Sequence, residues 1–150
     1  MPQKQAASLT FILKIQDICI ISSLRNTFHM DLEIKSLRPF IGAKDFELSR
    51  AFYRELGFQE VVLSKDMSLF RTDTAAFYLQ DYYNKDWVDN TMLFLEVQDV
   101  HAHLKRIQEL ELPDNYPGAE VRPMREEPWG TVFYIIDPSG VLLHVATFTS

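Results

Sequence analysis

Histidine and cysteine are the side chains here best suited to acid/base, nucleophilic or metal chemistry, and they are few. Beyond His29 the histidines are His101, His103 and His144, and the only cysteine is Cys19. His101 and His103 lie two residues apart on a predicted helix, so they do not share a face as an i, i+4 metal-binding pair does. We interpret them as part of a solvated helix surface. Cys19 has no histidine partner that would activate it as a nucleophile.

His144 lies in a predicted strand, residues 141–146, that follows a turn at residues 137–140 (DPSG). Because Leu143 and Val145 alternate with His144, the imidazole points to the opposite face of this strand. There it either hydrogen-bonds a ligand or senses pH, or it is an ordinary buried histidine with its hydrogen bonds satisfied.

A loop rich in aromatic and acidic residues, 81–90 (DYYNKDWVDN), places Tyr82, Tyr83 and Trp87 among three aspartates. This composition favours a flat cationic ligand, through stacking and charge attraction. The alternative is an exposed loop whose aromatic side chains cover a dimer seam. The chain has no glycine-rich phosphate loop. Without a metal, an acid/base pair or an activated nucleophile, catalysis lacks an evident agent.

The overall composition indicates one soluble domain with a substantial core. The 150 residues are 47% hydrophobic and 24% charged, and a chain of this length buries a real core. The net charge is −6, which repels nucleic acid and favours cationic partners, or merely aids solubility. The single cysteine excludes an intrachain disulfide and suggests a reducing, cytoplasmic compartment.

The first 29 residues are predicted to be an N-terminal extension of undetermined role, preceding a domain at residues 30–150. Their apolar part is interrupted by Lys14 and Asp17. It therefore lacks the core of a signal peptide and is too short and too charged to span a bilayer. No membrane association is expected.

Two segments of the chain have the same predicted order, βαβββ. Asp45 and Asp99 are the expected caps of the two helices, and Gly57 is expected to end the first. Pro39 interrupts the first strand and indicates an edge or a bulge. The first module comprises strand 34–42, helix 45–56 and strands 59–64, 67–72 and 74–80. The second comprises strand 92–97, helix 100–110, an irregular connection at 113–118 and strands 121–125, 131–136 and 141–146.

The predicted fold is therefore α+β, with modules at about residues 34–80 and 91–146 that form curved mixed sheets around a cleft. Clefts of that kind hold small ligands. The aromatic residues on predicted strands are expected to lie mostly in the core: Phe70, Phe77, Phe94, Phe133 and Tyr134.

Residues 43–58 (AKDFELSRAFYRELGF) and 137–144 (DPSGVLLH), with the doubled module, resemble the vicinal oxygen chelate superfamily. This superfamily includes glyoxalase I, extradiol dioxygenases, fosfomycin resistance enzymes and bleomycin resistance proteins. Within it, residues 88–100 and the Pro128-Trp129-Gly130 segment are most similar to the bleomycin-binding proteins. The resemblance covers residues 34–146.

In the metal-dependent members, the resemblance implies a divalent ion held by His, Gln or Glu residues on the first and last strand of each module. Those positions are occupied here by Arg38, Tyr78, Met92 and His144. Arginine is permanently cationic and a thioether is a poor donor to such ions. His144 is the only plausible ligand, so neither a catalytic metal nor another cofactor is expected.

For the bleomycin-binding proteins, the resemblance implies a homodimer with ligand clefts between the two chains. Trp129 matches the tryptophan that stacks on the drug, although it would alternatively be a core residue. Met67 stands where the family often has an aromatic side chain. Glu96, Glu126 and Glu127 either supply negative potential or are a solvated rim. The predicted ligand-binding residues are Trp129, His144, Tyr78, Met67, Arg38, Tyr82, Tyr83 and Trp87.

The function that we predict from the sequence is non-catalytic: a dimeric, cytoplasmic protein that binds and sequesters a small aromatic, cationic molecule of the bleomycin type. One alternative is a divalent-metal-dependent lyase or dioxygenase of the glyoxalase type. The second is a scaffold or regulatory module whose cleft is closed by side chains.

Overall fold

A computed structural model describes residues 33–149 of the chain, so the predicted extension at residues 1–29 lies outside the described residues. Residues 33–36 belong to a separate N-terminal unit and contain no helix or strand. The first module contains β1 (Phe40–Gly42), α1 (Phe46–Glu55), β2 (Gln59–Ser64), β3 (Met67–Arg71) and β4 (Ala76–Gln80). A short helix, α2 (Lys85–Val88), lies in the connection. The second module contains β5 (Met92–Glu96), α3 (Val100–Glu109), α4 (Leu112–Asn115), β6 (Glu120–Glu127), β7 (Gly130–Ile136) and β8 (Leu142–Phe148).

Each module forms a four-stranded mixed sheet with the same topology. Sheet A has the order β1-β4-β3-β2 and sheet B the order β5-β8-β7-β6. The first and last strands of each module are parallel, with Phe40 beside Tyr78 and Phe94 beside His144. The remaining strand pairs are antiparallel. The predicted α+β fold of two βαβββ modules is confirmed.

The two long helices begin where their predicted caps stand. The Asp45 carboxylate accepts a hydrogen bond from the Leu48 amide at 3.0 Å, and Asp99 accepts one from Ala102 at 2.9 Å. Each bond satisfies a backbone N–H that has no partner within the helix. Gly57 follows α1 with φ of 98°, a conformation that glycine adopts without strain.

Two strands are shorter than the sequence predicts. β1 begins at Phe40 rather than residue 34, because Pro39 has no N–H to donate, although its carbonyl accepts from Tyr78 N at 2.9 Å. β4 begins at Ala76 rather than residue 74. The preceding residues form a turn in which the Thr72 amide donates to the Ala75 carbonyl at 2.8 Å.

Two predicted irregular segments contain one-turn helices. In the 81–90 loop, Asn84 caps α2, its side-chain oxygen accepting from the Trp87 amide at 3.3 Å. In the connection at residues 113–118, α4 begins before Pro113, which lies in its first turn, where a missing N–H costs nothing. Helices of a single turn are too short to carry a hydrophobic periodicity that would reveal them in a sequence.

The inner faces of both sheets contribute to one hydrophobic core. α1 inserts Phe52 and Tyr53, both fully buried, and the Tyr53 ring contacts Phe70 and Phe77 of sheet A. Burying one such side chain stabilises the fold by about 1.5–3 kcal/mol. α3 contributes Ile107, and sheet B contributes Phe133, Ile135, Leu143 and Val145.

The opposite, outer face of each sheet is largely exposed. On sheet A, the outer face carries Phe40, Met67, Leu69 and Tyr78, as strand alternation and register require. On sheet B it carries Phe94, Tyr134, His144 and Phe148. The expected placement of His144, opposite Leu143 and Val145, is therefore confirmed. Among residues 33–149, no helix has the length and apolar character that crossing a membrane requires.

Candidate functional site

A cluster of aromatic side chains lies on the outer face of sheet B. The Phe94 ring centroid is 6.0 Å from Trp129, 6.1 Å from His144 and 5.6 Å from Phe148. Trp129 and Phe148 are 5.6 Å apart, and Tyr134 packs edge-on against His144 at 5.0 Å. We call these five residues the outer-face cluster. The structure thus brings together two predicted site residues, Trp129 and His144, through Phe94.

Three rings of the outer-face cluster remain substantially exposed. Trp129 is 38% exposed, Phe94 48% and Phe148 53%. The expectation that Phe94 lies in the core is wrong, because even-numbered residues of β5 point away from α3. Tyr134 is half-buried on this same face, whereas Phe70, Phe77 and Phe133 are buried as expected. Phe148 was not among the predicted site residues, because its position beside Trp129 depends on the pairing of β7 with β8.

Gly130 places Trp129 beside the end of β8. A Cβ atom at Gly130 would lie 2.1 Å from the Thr147 carbonyl oxygen, so only glycine allows the two strands to approach at this point. The Trp129 carbonyl also accepts from the Thr149 amide at 3.1 Å. The Pro-Trp-Gly segment thereby fixes the indole over the outer face of sheet B.

His144 is half-buried within the cluster, with its ring stacked on Phe94 at an interplanar angle of 25°. Among residues 33–149, no side chain or backbone group hydrogen-bonds its ring nitrogens. A ligand on this face would therefore find an imidazole able to donate or accept.

The predicted site residues of the first module lie together on the outer face of sheet A. Arg38 Nη1 donates to the Tyr78 hydroxyl at 3.3 Å. The Tyr78 ring stacks on Phe40 at 4.7 Å, and Met67 projects from the same face one strand away. Phe40 was not predicted, since it falls just after Pro39 in a segment with no clear periodicity.

The third predicted group is the aromatic loop between the modules. Tyr82 and Trp87 are in ring contact at 6.0 Å, and their exposed fractions are 53% and 67%. Tyr83 is 38% exposed. Val88 is buried and anchors α2 to the core. The ring contacts join residues within each of the three groups and not between them.

The four positions where the metal-dependent proteins bind their ion do not fit a divalent cation here. Arg38 offers only donors and already bonds the Tyr78 hydroxyl. Met92 projects from the outer face with its side chain 63% exposed, beside Leu142. Among the residues described, no group of three or more His, Cys, Asp or Glu side chains is placed to hold a metal ion. The donor set reduces to one imidazole and one phenol.

A buried polar network ties the turn before β8 to the first module. Asp137 is fully buried, and its Oδ1 accepts from the amides of Ser139, Gly140 and Val141 at 2.8–2.9 Å. Its Oδ2 accepts from the Tyr53 hydroxyl at 2.9 Å. Burial raises the pKa of the Asp137 carboxyl, opposed by these hydrogen bonds. The turn is thereby held against α1, and β8 starts from a fixed point.

Charges on the outer face of sheet B are divided between its two edges. Glu96 lies on β5, next to the Phe94 end of the outer-face cluster. Arg122 and Arg125 lie on β6, opposite Tyr134 and Val132. Glu96 therefore shares a strand with the exposed Phe94, whereas the exposed Trp129 lies in the connection between β6 and β7, beside the strand of the two arginines. Glu126 is exposed and accepts from the Thr131 hydroxyl at 2.7 Å.

A cavity of about 350 Å³ lies between the two modules. It is bordered by the residues after α1, the turn after β3, the strand β5 and the helix α3. The sequence predicted a cleft between the two sheets of one chain. Side chains of α1 and of the hydrophobic core fill most of that region, and this cavity is the space that remains open. None of the eight predicted site residues lines it, and Phe94 alone of the outer-face cluster does.

Comparison with known proteins defines the fold. A bleomycin-binding protein from Streptomyces verticillus, in complex with copper(II)-bleomycin, superposes with a TM-score of 0.61 at 23% identity, covering 77% of this chain and 99% of its own. The antibiotic-binding protein TnmS3 from Streptomyces sp. CB03234 gives 0.63 at 22% identity, covering 81% and 100%. A lactoylglutathione lyase from Agrobacterium tumefaciens gives 0.58 at 18% identity, covering 76% and 94%.

No family model and no curated protein sequence matches the chain. The structural similarities nevertheless extend over nearly the whole length of the compared proteins. The chain therefore has the glyoxalase/bleomycin resistance fold, as the sequence resemblance implied. Because binding proteins and a lyase share this fold, the fold by itself does not decide between binding and catalysis.

Proposed function

We propose that this protein binds and sequesters a small aromatic, cationic molecule of the bleomycin type without transforming it. The observation that carries the proposal is the outer-face cluster, in which Phe94, Trp129 and Phe148 contact one another while remaining 38–53% exposed. Large rings exposed side by side are costly to leave in water and are typical of a binding surface.

Stacking would supply the affinity. The indole of Trp129 and the two phenyl rings have few rotatable bonds, so a flat heteroaromatic ligand would lose little side-chain entropy on binding. Each aromatic contact adds about 0.5–1.5 kcal/mol beyond the burial of its area. His144 would hydrogen-bond the ligand at the inner end of the cluster.

Electrostatic attraction would supply the preference for a cation. The net charge of the chain is −6, and Glu96 lies on β5, the strand that carries the exposed Phe94. A field of this sign raises the association rate of positively charged ligands.

A homodimer would complete the site. Each chain has two exposed apolar outer faces, and the outer face of sheet A carries Arg38, Phe40, Met67 and Tyr78. Placed against sheet B of a second copy, these side chains would form the opposite wall of a cleft. The aromatic loop, with Tyr82, Tyr83 and Trp87, would then cover either the ligand or the seam between the two chains.

Two of the compared proteins are described as binding bleomycin or an antibiotic, which supports this class of ligand. The lyase shares the fold, but the residues at the metal positions of this chain do not support its chemistry. Binding in the cytoplasm, without turnover, would protect a cell by lowering the free concentration of the drug.

Tryptophan fluorescence during titration with metal-free bleomycin tests the proposal. The chain has two tryptophans, Trp87 and Trp129. The variant Trp87→Phe therefore fluoresces from Trp129 alone, and the variant Trp129→Phe from Trp87 alone. We expect saturable quenching at about one ligand per chain in Trp87→Phe and at least a tenfold loss of affinity in Trp129→Ala. Unchanged affinity in Trp129→Ala would contradict the site, and quenching confined to Trp129→Phe would place the ligand at the loop.

A further inference from the structure

The cavity between the modules has the properties of a second ligand site. Its walls are mainly apolar, formed by Leu56, Phe58, Ile107, Ile135 and Val145. Its volume of about 350 Å³ lies in the lower part of the range for small-molecule sites, roughly 300–1,000 Å³. Of the outer-face cluster only Phe94 borders it, so the cavity adjoins the stacking surface at that residue but does not include Trp129, His144 or Phe148.

His103 is the polar side chain best placed to orient a ligand in this cavity. It is half-buried on α3, and no hydrogen bond to its ring is present among residues 33–149. Burial lowers the pKa of His103, and the positive charge of Arg106 lowers it further. The imidazole is therefore neutral at neutral pH and is able both to donate and to accept a hydrogen bond.

The strand β5 lies at the edge of sheet B and borders the same cavity. The Thr91 carbonyl accepts from Leu142 N at 3.2 Å and Val97 N donates to the Ala146 carbonyl at 2.8 Å. Because alternate residues of a strand direct their backbone groups to opposite sides, those of Phe94 and Glu96 point away from β8. Phe94 and Glu96 are both among the residues that border the cavity, although the Phe94 side chain lies on the outer face.

The lining also limits the charge of a ligand. No lysine or arginine lines the cavity, whereas Glu96 does, so an anion would have no counter-charge. An ammonium group would lose its hydration against the apolar walls, and Glu96, which is exposed to solvent, would offer it only a screened charge. A neutral molecule is the class that fits.

We propose that this cavity binds a small neutral aromatic molecule with one hydrogen-bonding group, of the phenol type, whose ring contacts Ile107 and Ile135 and whose hydroxyl bonds His103. This site and its neutral ligand are distinct from the cation-stacking site of the proposed function. A ligand held here would contact β5, the strand whose outer side carries Phe94.

Isothermal titration with phenol and toluene tests the role of His103, since the two molecules differ by one hydroxyl. We expect phenol to bind saturably and about 3- to 10-fold more tightly than toluene, the value of one hydrogen bond. His103→Leu should remove this preference while toluene still binds. An undiminished preference in His103→Leu, or no saturable binding of phenol, would overturn the proposal.

The location is tested with Leu56→Trp, which places a larger side chain in the cavity. We expect loss of phenol binding, with folding checked by thermal unfolding. Trp129→Ala is the matched control: it should retain phenol binding even though it loses bleomycin, so failure of one site is distinguishable from failure of the other. If Leu56→Trp does not fold, the location is tested instead by following the amide chemical shifts of the wild-type protein during titration with phenol. Phenol should then shift Gly57, Thr74 and Val97, and shifts confined to other residues would refute the site.

Discussion

Tyr53 donates a hydrogen bond of 2.9 Å to the buried carboxylate of Asp137, 84 residues away in the chain. The bond joins α1 of the first module to the turn before β8 of the second. Burial, together with the charge of Asp137, raises the pKa of Tyr53, while burial raises that of Asp137. The strand that carries His144 therefore starts from a turn fixed by the other module.

Replacing Tyr53 with phenylalanine would leave Oδ2 of Asp137 buried without its donor. We expect a loss of about 1–3 kcal/mol in the free energy of unfolding, because an unsatisfied buried acceptor bears its full desolvation cost. Urea denaturation measures this loss. Tyr116→Phe is the control, because its hydroxyl bonds the exposed Glu55 at 2.9 Å and its removal should cost less. Equal losses in the two variants would contradict the role of the Tyr53–Asp137 bond.

Gly130→Ala should disturb both the sheet and the position of Trp129. The added Cβ would lie 2.1 Å from the Thr147 carbonyl, and relieving such a clash costs about 1–3 kcal/mol. We expect a lower unfolding midpoint and a shifted Trp129 emission in a Trp87→Phe background. Gly57→Ala is the control for backbone conformation without a steric clash. Gly57 has a φ of 98°, which disfavours alanine, but nothing lies within 4 Å of the added Cβ atom. A shifted emission in that control would rule out the steric explanation.

Glu60 makes a contribution to the free energy of unfolding that is lost at low pH. Burial works to raise its pKa, but hydrogen bonds from Arg50, Ser68 and Arg54 and the charge of Arg50 lower it below 4.5. Because the pKa is lower in the folded chain, the stabilisation is present above pH 4.5 and is lost as the pH falls through the folded-state pKa.

The urea midpoint of the wild type should therefore fall more between pH 7 and pH 3 than that of Glu60→Gln. Glu47→Gln serves as the control, because Glu47 also pairs with Arg50 but its side chain is 72% exposed, and exposed ion pairs contribute little. If the urea midpoint of Glu60→Gln falls with pH as much as that of the wild type, the hydrogen bonds of Glu60 are not the cause of the lower stability in acid.

Protein purified without chelator should contain no stoichiometric divalent ion. At the four positions that correspond to metal ligands in the metal-dependent proteins, Arg38 and Met92 are unsuitable ligands. The remaining imidazole of His144 and phenol of Tyr78 bind such ions weakly. Elemental analysis by mass spectrometry measures the content, and His144→Ala should leave it unchanged. One zinc or nickel ion per chain, lost in His144→Ala, would instead favour the lyase or dioxygenase alternative.

The sequence by itself determined the order of the elements, the caps of the two long helices and the side of β8 on which His144 lies. Asp45 and Asp99 cap their helices where their position before an amphipathic segment predicts, because capping is a local hydrogen bond. His144 lies opposite Leu143 and Val145 because alternation along a strand is also local. The irregularity expected at Pro39 likewise follows from its missing N–H.

Only the tertiary structure decided which side chains meet. Trp129 contacts Phe94 and Phe148 because β8 pairs in parallel with β5 and antiparallel with β7. This pairing joins residues far apart in the chain, and periodicity along one strand does not specify it. Phe94 was expected in the core because the sequence of β5 alone does not show which of its two faces packs against α3. The Tyr53–Asp137 bond and the cavity beside β5 likewise arise from the packing of one module against the other, which no local pattern encodes.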